Sequence, residues 1–255
     1  DYTDYAIIPD LLFDNYIYIF EGCLSNEGGL CLTFKTYLST FFFCFFTWLI
    51  TLVLGFCVAY FLAFYVNSIP LQVCLFLVCT IPFWTSNVIR MVSWIPLLGR
   101  NGLVNEFFLS LGIIDQPIEW LLYSSFSVIL ALVHLYTLFM IVPIFNSMIR
   151  IDRSIVEAAY DAGASHRQII FNIIIPLSKT GIIIGSIFVV TVVMGDFLTI
   201  GIMGGQQLAS VGKIINTEMN YLQFPGAAAN AVILLIITIF IIYVMTKFID
   251  IRKEL

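Results

Sequence analysis

Few residues of this chain could do chemistry, and several of them stand in apolar surroundings. Asp196 is the sharpest case: Val193 and Met194 precede it, and Phe197 and Leu198 follow it. A carboxylate in hydrocarbon is costly, so it should face protein or a water-filled cavity. It is therefore either a lining group of a polar path, a hydrogen-bonded helix contact, or a residue close to an interface. His134 sits inside LALVHLYTLFMIVPIF, residues 130–145, and is either a packed, hydrogen-bonded residue or a second lining group. Trp84, Trp94 and Tyr136 offer aromatic faces to an ammonium group, although Trp and Tyr also mark membrane interfaces, the reading taken for Trp94.

A second cluster of chemistry is SIVEAAYDAGASHRQIIFNIIIP, residues 154–176, with Glu157, Asp161, His166 and Arg167 between long apolar runs. Ser154 with Glu157 three residues on reads as a capping box. Gly163 is the natural left-handed stop. Ser165 and Gln168 repeat the box, and the second helix is expected to end before Pro176. The segment thus predicts helix, glycine turn, helix. That is either a rigid docking surface or a plain amphipathic connector.

The elements around these residues follow from composition. Of the 255 residues, 61% are hydrophobic and 11% charged, with a mean hydropathy of +1.03. So little charge cannot cover a soluble globule of this length. No basic face suits nucleic acid. No GxxxxGK[ST] nucleotide loop occurs, and no metal-ligand spacing of Cys and His is seen. Cys44, Cys57, Cys74 and Cys79 read as small packing residues. Cys23 and Cys31 lie in a polar opening region with six acids and one Lys in the first 35 residues, and would pair if that region is extracytoplasmic.

Five runs are long enough to span a bilayer: 36–66, Pro70–Ile89 with Pro82 inside it, 121–146, Thr180–Ile202 broken by Asp196 and several Gly, and Ala227–Thr246. Helices are the expected spanning elements. A cytoplasmic 147–179 loop and C-terminus collect seven of the eleven Lys and Arg, leaving Lys35, Arg90, Arg100 and Lys213 outside. Residues 1–35 are then extracytoplasmic, and a sixth helix is expected upstream. Arg90 and Glu218 are placed at the outer mouth. A short outer helix is expected near Leu103–Leu109.

The 154–176 segment resembles the EAA loop of permease subunits of binding-protein-dependent ABC importers. Glu157-Ala158-Ala159, Gly163, Ile173 and Pro176 stand at the family offsets, with Ile175 where Leu is usual. IPFWTSNVIR (81–90), NGLVNEFFLSLGIID (101–115) and GDFLTIGIMGG (195–205) resemble the spermidine/putrescine branch. The resemblance implies an all-α polytopic bundle of the type I, MetI-like class, forming one transmembrane domain over 1–255 in the bacterial inner membrane. It implies a non-catalytic subunit, with ATP and Mg bound by partners and no cofactor of its own. The implied partners are a second permease, two cytoplasmic ABC ATPases and an extracytoplasmic solute-binding protein. Glu157, Ala158, Ala159, Gly163, Arg167 and Pro176 then form the ATPase-coupling loop. Asp196 becomes a counter-charge on a polyamine path, with Trp84, Tyr136 and His134 as further lining candidates. A different small solute (an amine, an amino-acid-like compound, iron or thiamine) is the nearest alternative. A secondary transporter or a membrane scaffold subunit stands further off.

Overall fold

The structure is a computed structural model that describes residues 14–20, 31–205 and 207–247. All of its regular elements are helical. Without water to satisfy the backbone, apolar segments of this length close their hydrogen bonds internally.

Three helices form the centre. Helix α2 (Leu32–Tyr60) follows α1 (Asp14–Ile19) and continues through a π turn at Phe61–Tyr65. Helix α7 is Ser125–Met148, and α11 is Lys179–Gly195. The buried face of α2 is a stripe of small residues: Thr36, Thr40, Cys44, Thr47, Thr51, Gly55 and Ala59, joined by Phe43. Spacings of three and four put them on one side, where small side chains let helices approach. Thr36, Thr40 and Thr51 hide their hydroxyls on carbonyls four residues back, at 2.8–2.9 Å. A side chain on Gly55 would meet Met140 of α7 at 2.7 Å, and one on Gly185 would meet the same methionine at 2.9 Å. Gly181 lies against the Pro143 carbonyl and 2.6 Å, by the same measure, from Ser147 Cβ. Met140 to Ser147 of α7 is therefore seated between α2 and α11, where only glycine leaves room.

The remaining elements are shorter. Helix α3 (Ile69–Thr80) runs into a 3-10 turn at Ile81–Trp84. Helices α4 (Asn87–Val92), α5 (Ile95–Leu98) and α6 (Leu103–Ser110) follow. After α7 come α8 (Arg153–Asp161), α9 (His166–Ile169), a π turn at Ile170–Ile174 and α10 (Ile175–Leu177). Beyond α11 lie α12 (Leu198–Met203), α13 (Val211–Asn220) and α14 (Phe224–Thr246).

Leu32–Tyr65, Ser125–Met148 and Phe224–Thr246 are each long and apolar enough to cross a membrane. Two bent pairs raise the number to as many as five: Ile69–Trp84 with Asn87–Ser110, turning by 91°, and His166–Leu177 with Lys179–Gly195, turning by 68°. The second and fourth runs are thus each interrupted, the fourth at Asp196 as expected. The second breaks at Thr85, whose extended backbone (ψ 151°) ends the 3-10 turn that holds Pro82 near its start. The fourth ends at Gly195, because Asp196 leaves the helix (ψ 116°). The short helix expected near Leu103–Leu109 is present as α6.

Candidate functional site

The residues singled out for chemistry fall into two groups. The first surrounds Asp196. Its Oδ2 accepts the Tyr136 hydroxyl at 2.6 Å and the Thr199 hydroxyl at 2.6 Å, and its Oδ1 accepts the Thr199 N–H at 2.9 Å. Asp196 therefore ends α11 and, through Thr199, holds the first turn of α12, as an acid placed before a helix does. Its carboxylate joins α7, α11 and α12. Tyr136 is buried and Asp196 half-buried.

Arg90 projects from α4 and is buried, 8% exposed. One of its terminal nitrogens donates to Asn87 Oδ1; among the described residues its Nε finds no acceptor. Its helix packs against α7 and α12. Trp94 Nε1 donates to His134 Nδ1 at 3.1 Å, which leaves the proton of a neutral ring on Nε2. His134 itself is exposed on α7. The structure thus gathers Arg90, Trp94, His134, Tyr136, Asp196 and Thr199 around one stretch of α7. It does not bring Trp84 there: Trp84 is 85% exposed. Glu218, grouped with Arg90 as an outer-mouth residue, has separate partners. Both its oxygens accept from Asn230 Nδ2 of α14, at 3.2 and 3.1 Å. It lines a cavity of about 580 Å3 with Thr36, Tyr37, Ile214 and Asn230.

The second group is the punctuated segment. Asp152, not Ser154, caps α8, with its Oδ1 accepting the Ser154 N–H at 3.0 Å. That N–H holds the Asp152 carboxyl below its ordinary value. The Ser154–Glu157 box is therefore not the cap; Asp152 starts the helix two residues earlier. The Ser165–Gln168 box does form: Ser165 Oγ accepts the Gln168 N–H at 3.4 Å, and Gln168 Oε1 accepts the Ser165 N–H at 2.7 Å. Between the helices Gly163 has φ +82°. Its N–H bonds to Tyr160 O at 2.8 Å, and Ala164 N–H to Ala159 O at 3.0 Å. These two bonds are the glycine-based Schellman closure of a helix. The second helix, expected to end before Pro176, does not. It passes through the π turn at 170–174 to Leu177, because the wider turn accommodates the proline ring and its missing donor. The chain bends instead at Ser178.

Glu157, Ala158, Gly163, Arg167 and Pro176 are exposed, Ala159 is half-buried, and no residue of α8 is buried. Exposed Ile155, Tyr160, Phe171 and Leu177 add apolar surface to the same segment.

Several contributors were missed in the sequence. Thr199 stands three residues after Asp196, a spacing that signals capping. Asn87 and Asn230 carried no such signal. The proposed Cys23–Cys31 pairing involves Cys23, which lies outside the described residues; Cys31 Sγ accepts the Phe34 N–H at 3.4 Å at the start of α2. Among the described residues no group of three or more His, Cys, Asp or Glu could hold a metal ion.

The structure is a bundle with up to five candidate spans, an acid bonded between central helices and an exposed helical hairpin. Residues 33–254 match the family described as the binding-protein-dependent transport system inner membrane component, and the chain belongs to it. It is thereby a non-catalytic ABC-importer permease of the inner membrane. The spermidine/putrescine transport system permease protein PotB of Escherichia coli (strain K12) is 38% identical over 188 residues, covering 73% of this chain and 67% of that protein. PotB of Haemophilus influenzae (strain ATCC 51907 / DSM 11121 / KW20 / Rd) is 34% identical, over 71% of this chain and 64% of that protein. The osmoprotective compounds uptake permease protein GgtC of Synechocystis sp. (strain ATCC 27184 / PCC 6803 / Kazusa) is 31% identical over 54% of this chain and 51% of its own. The fold matches a chain of a bacterial alginate ABC transporter, solved in complex with an alginate pentasaccharide-bound periplasmic protein, with a TM-score of 0.70 at 14% identity, covering 96% of this chain and 90% of that one.

Proposed function

We propose that this permease carries a polyamine of the spermidine/putrescine type. The observation that carries the reading is the 38% identity to a spermidine/putrescine permease over 73% of the chain. The Asp196 carboxylate supports it as a counter-charge for an ammonium group. In the same reading, residues 1–35 are extracytoplasmic and residues 147–179 form the cytoplasmic coupling loop. The chain pairs with a second permease above two cytoplasmic ABC ATPases, which bind ATP and Mg. A soluble binding protein delivers the solute from outside.

The α8–α9 hairpin presents Glu157, Ala158, Ala159 and Arg167 to a groove on the ATPase, with Gly163 setting the angle between its arms. Closure of the ATPases around ATP moves the hairpin as one body. That motion opens the path outward between α7 and its neighbours. At the path, Asp196 exchanges part of its bonding to Tyr136 and Thr199 for an ammonium group, with the faces of Tyr136 and Trp94 nearby.

A second reading, import of another small solute by the same machinery, is favoured by the 31% identity to a permease for osmoprotective compounds. The test is ATP hydrolysis by the complete complex in lipid, with its binding protein loaded with spermidine or putrescine, loaded with an osmoprotectant, or empty. Stimulation by the polyamine-loaded protein alone supports the proposal. Stimulation only by another load discards the polyamine and keeps the importer.

A further inference from the structure

The coupling hairpin is joined in sequence to α7 and α11, yet its hydrogen bonds reach a third helix. Leu32–Tyr65 has 34 residues. At 1.5 Å per residue it is about 51 Å long, against about 30 Å of hydrocarbon. The surplus carries its end out to the hairpin. There Arg153, the first residue of α8, spreads its guanidinium over that end. Nη1 donates to Asn67 Oδ1 at 2.6 Å, and Nη2 donates to the carbonyls of Ala63 and Val66 at 3.3 and 3.4 Å. Ala63 lies in the last turn of the span and Val66 is the residue that caps it, where helix acceptors lack backbone donors and where a cation suits the helix dipole.

A second contact lies beside the first. His166, the first residue of α9, has its Nδ1 2.8 Å from the Tyr160 hydroxyl of α8 and its Nε2 3.5 Å from the Tyr60 hydroxyl of α2. The Tyr60 and His166 rings also meet edge to face, with centroids 6.0 Å apart. Both arms of the hairpin are thus attached to one span, one through Arg153 and the other through His166.

We infer that Arg153 is a positioning residue that clamps the coupling hairpin to the end of α2, making α2 the span that the hairpin drives directly. This rests on the coupling role proposed above. The physical reason is rigidity. The sequence joins on either side, at Ile149–Asp152 and at the 68° bend by Ser178, are places where the chain changes direction. A hairpin held only there would pivot when pushed. Held also at Asn67, Ala63 and Val66, it moves α2. The small-residue stripe from Thr36 to Ala59 then passes that motion to α7 and α11, which pack against it.

The test uses the complete complex in lipid nanodiscs and proteoliposomes, with Arg153→Gln, Arg153→Lys and Asn67→Ala. Two readouts are taken: hydrogen exchange at 61–67 and 153–161, and solute imported per ATP hydrolysed. Losing the clamp should speed exchange in both segments of Arg153→Gln and lower import per ATP about fivefold, the scale of one charged hydrogen bond net of solvent exposure. Asn67→Ala should show the same change more weakly, and the double variant should be no worse than Arg153→Gln alone. Arg153→Lys, which keeps a cation on the carbonyls, should recover most of the import. Unchanged exchange at 61–67 in Arg153→Gln would overturn the clamp, as would unchanged import per ATP. Loss of the ATPase from Arg153→Gln would also overturn it, placing Arg153 on the docking face. If the wild-type complex imports nothing on ATP hydrolysis, the coupling role itself fails, while the exchange data still decide whether Arg153 holds α2.

Discussion

Gly181 and Gly163 are the same residue in two regions of opposite character. Gly181 lies in the packed centre, where any side chain would strike the Pro143 carbonyl and Ser147. Gly163 lies in the exposed hairpin, where a Cβ would meet nothing within 4 Å among the described residues, but where φ is +82°. One glycine provides space and the other provides a backbone angle. The centre is therefore built to be filled, and the hairpin is built to hold a shape while leaving its surface free.

The largest effect should come from breaking the centre. Gly181→Val forces a side chain against α7 backbone and should cost about 3 kcal/mol or more. Thermal unfolding of the purified chain in detergent should show a lower midpoint, with the chain partly lost from the membrane fraction. An unchanged midpoint would mean that α7 and α11 are not in contact there.

Next comes the acid between the helices. Asp196→Asn keeps the shape and removes the charge. Polyamine uptake should fall about tenfold, the equivalent of about 1.4 kcal/mol, with the complex still assembled. Normal uptake would make Asp196 a purely structural bridge between α11 and α12.

Gly163→Ala should act less on stability, costing about 1–2 kcal/mol through its left-handed backbone and nothing through contacts. If it lowers the thermal unfolding midpoint as much as Gly181→Val does, the contrast between space and angle collapses.

The smallest effect concerns Asp152. Its carboxyl is held below the ordinary value of 3.8 by the Ser154 N–H. A lowered folded value means that the cap's contribution is complete above pH 3.8 and fades as pH falls through the folded value. Hydrogen exchange at 153–156, followed from pH 6 downward at corrected intrinsic rates, should rise only in the acid range in the wild type. In Asp152→Ala it should be fast throughout.

The five apolar runs and the hairpin were legible because both rest on local pattern: long uncharged stretches, and a glycine between two capping signals. The ends were not, because neighbouring residues compete for each boundary. Asp152 outranks Ser154 as a cap by standing just ahead of it. A π turn rescues Pro176, and no sequence rule reports that in advance. Asp196 stood out as a charge among apolar neighbours, but its partner Tyr136 lies 60 residues away on another helix, so the bond between them is a product of folding. Arg153 went unnoticed for the same reason, since its acceptors lie 86 to 90 residues earlier.

The central claim is that the exposed hairpin is the seat of the ATPases. The most direct measurement is the amount of ABC ATPase that copurifies with the tagged chain, for the wild type and for Gly163→Val, at equal levels of permease in the membrane. The account predicts stoichiometric ATPase on the wild type and a severalfold loss on Gly163→Val, whose branched side chain resists the left-handed turn. Equal ATPase on both, or none on the wild type in a preparation that keeps other membrane complexes whole, would contradict it.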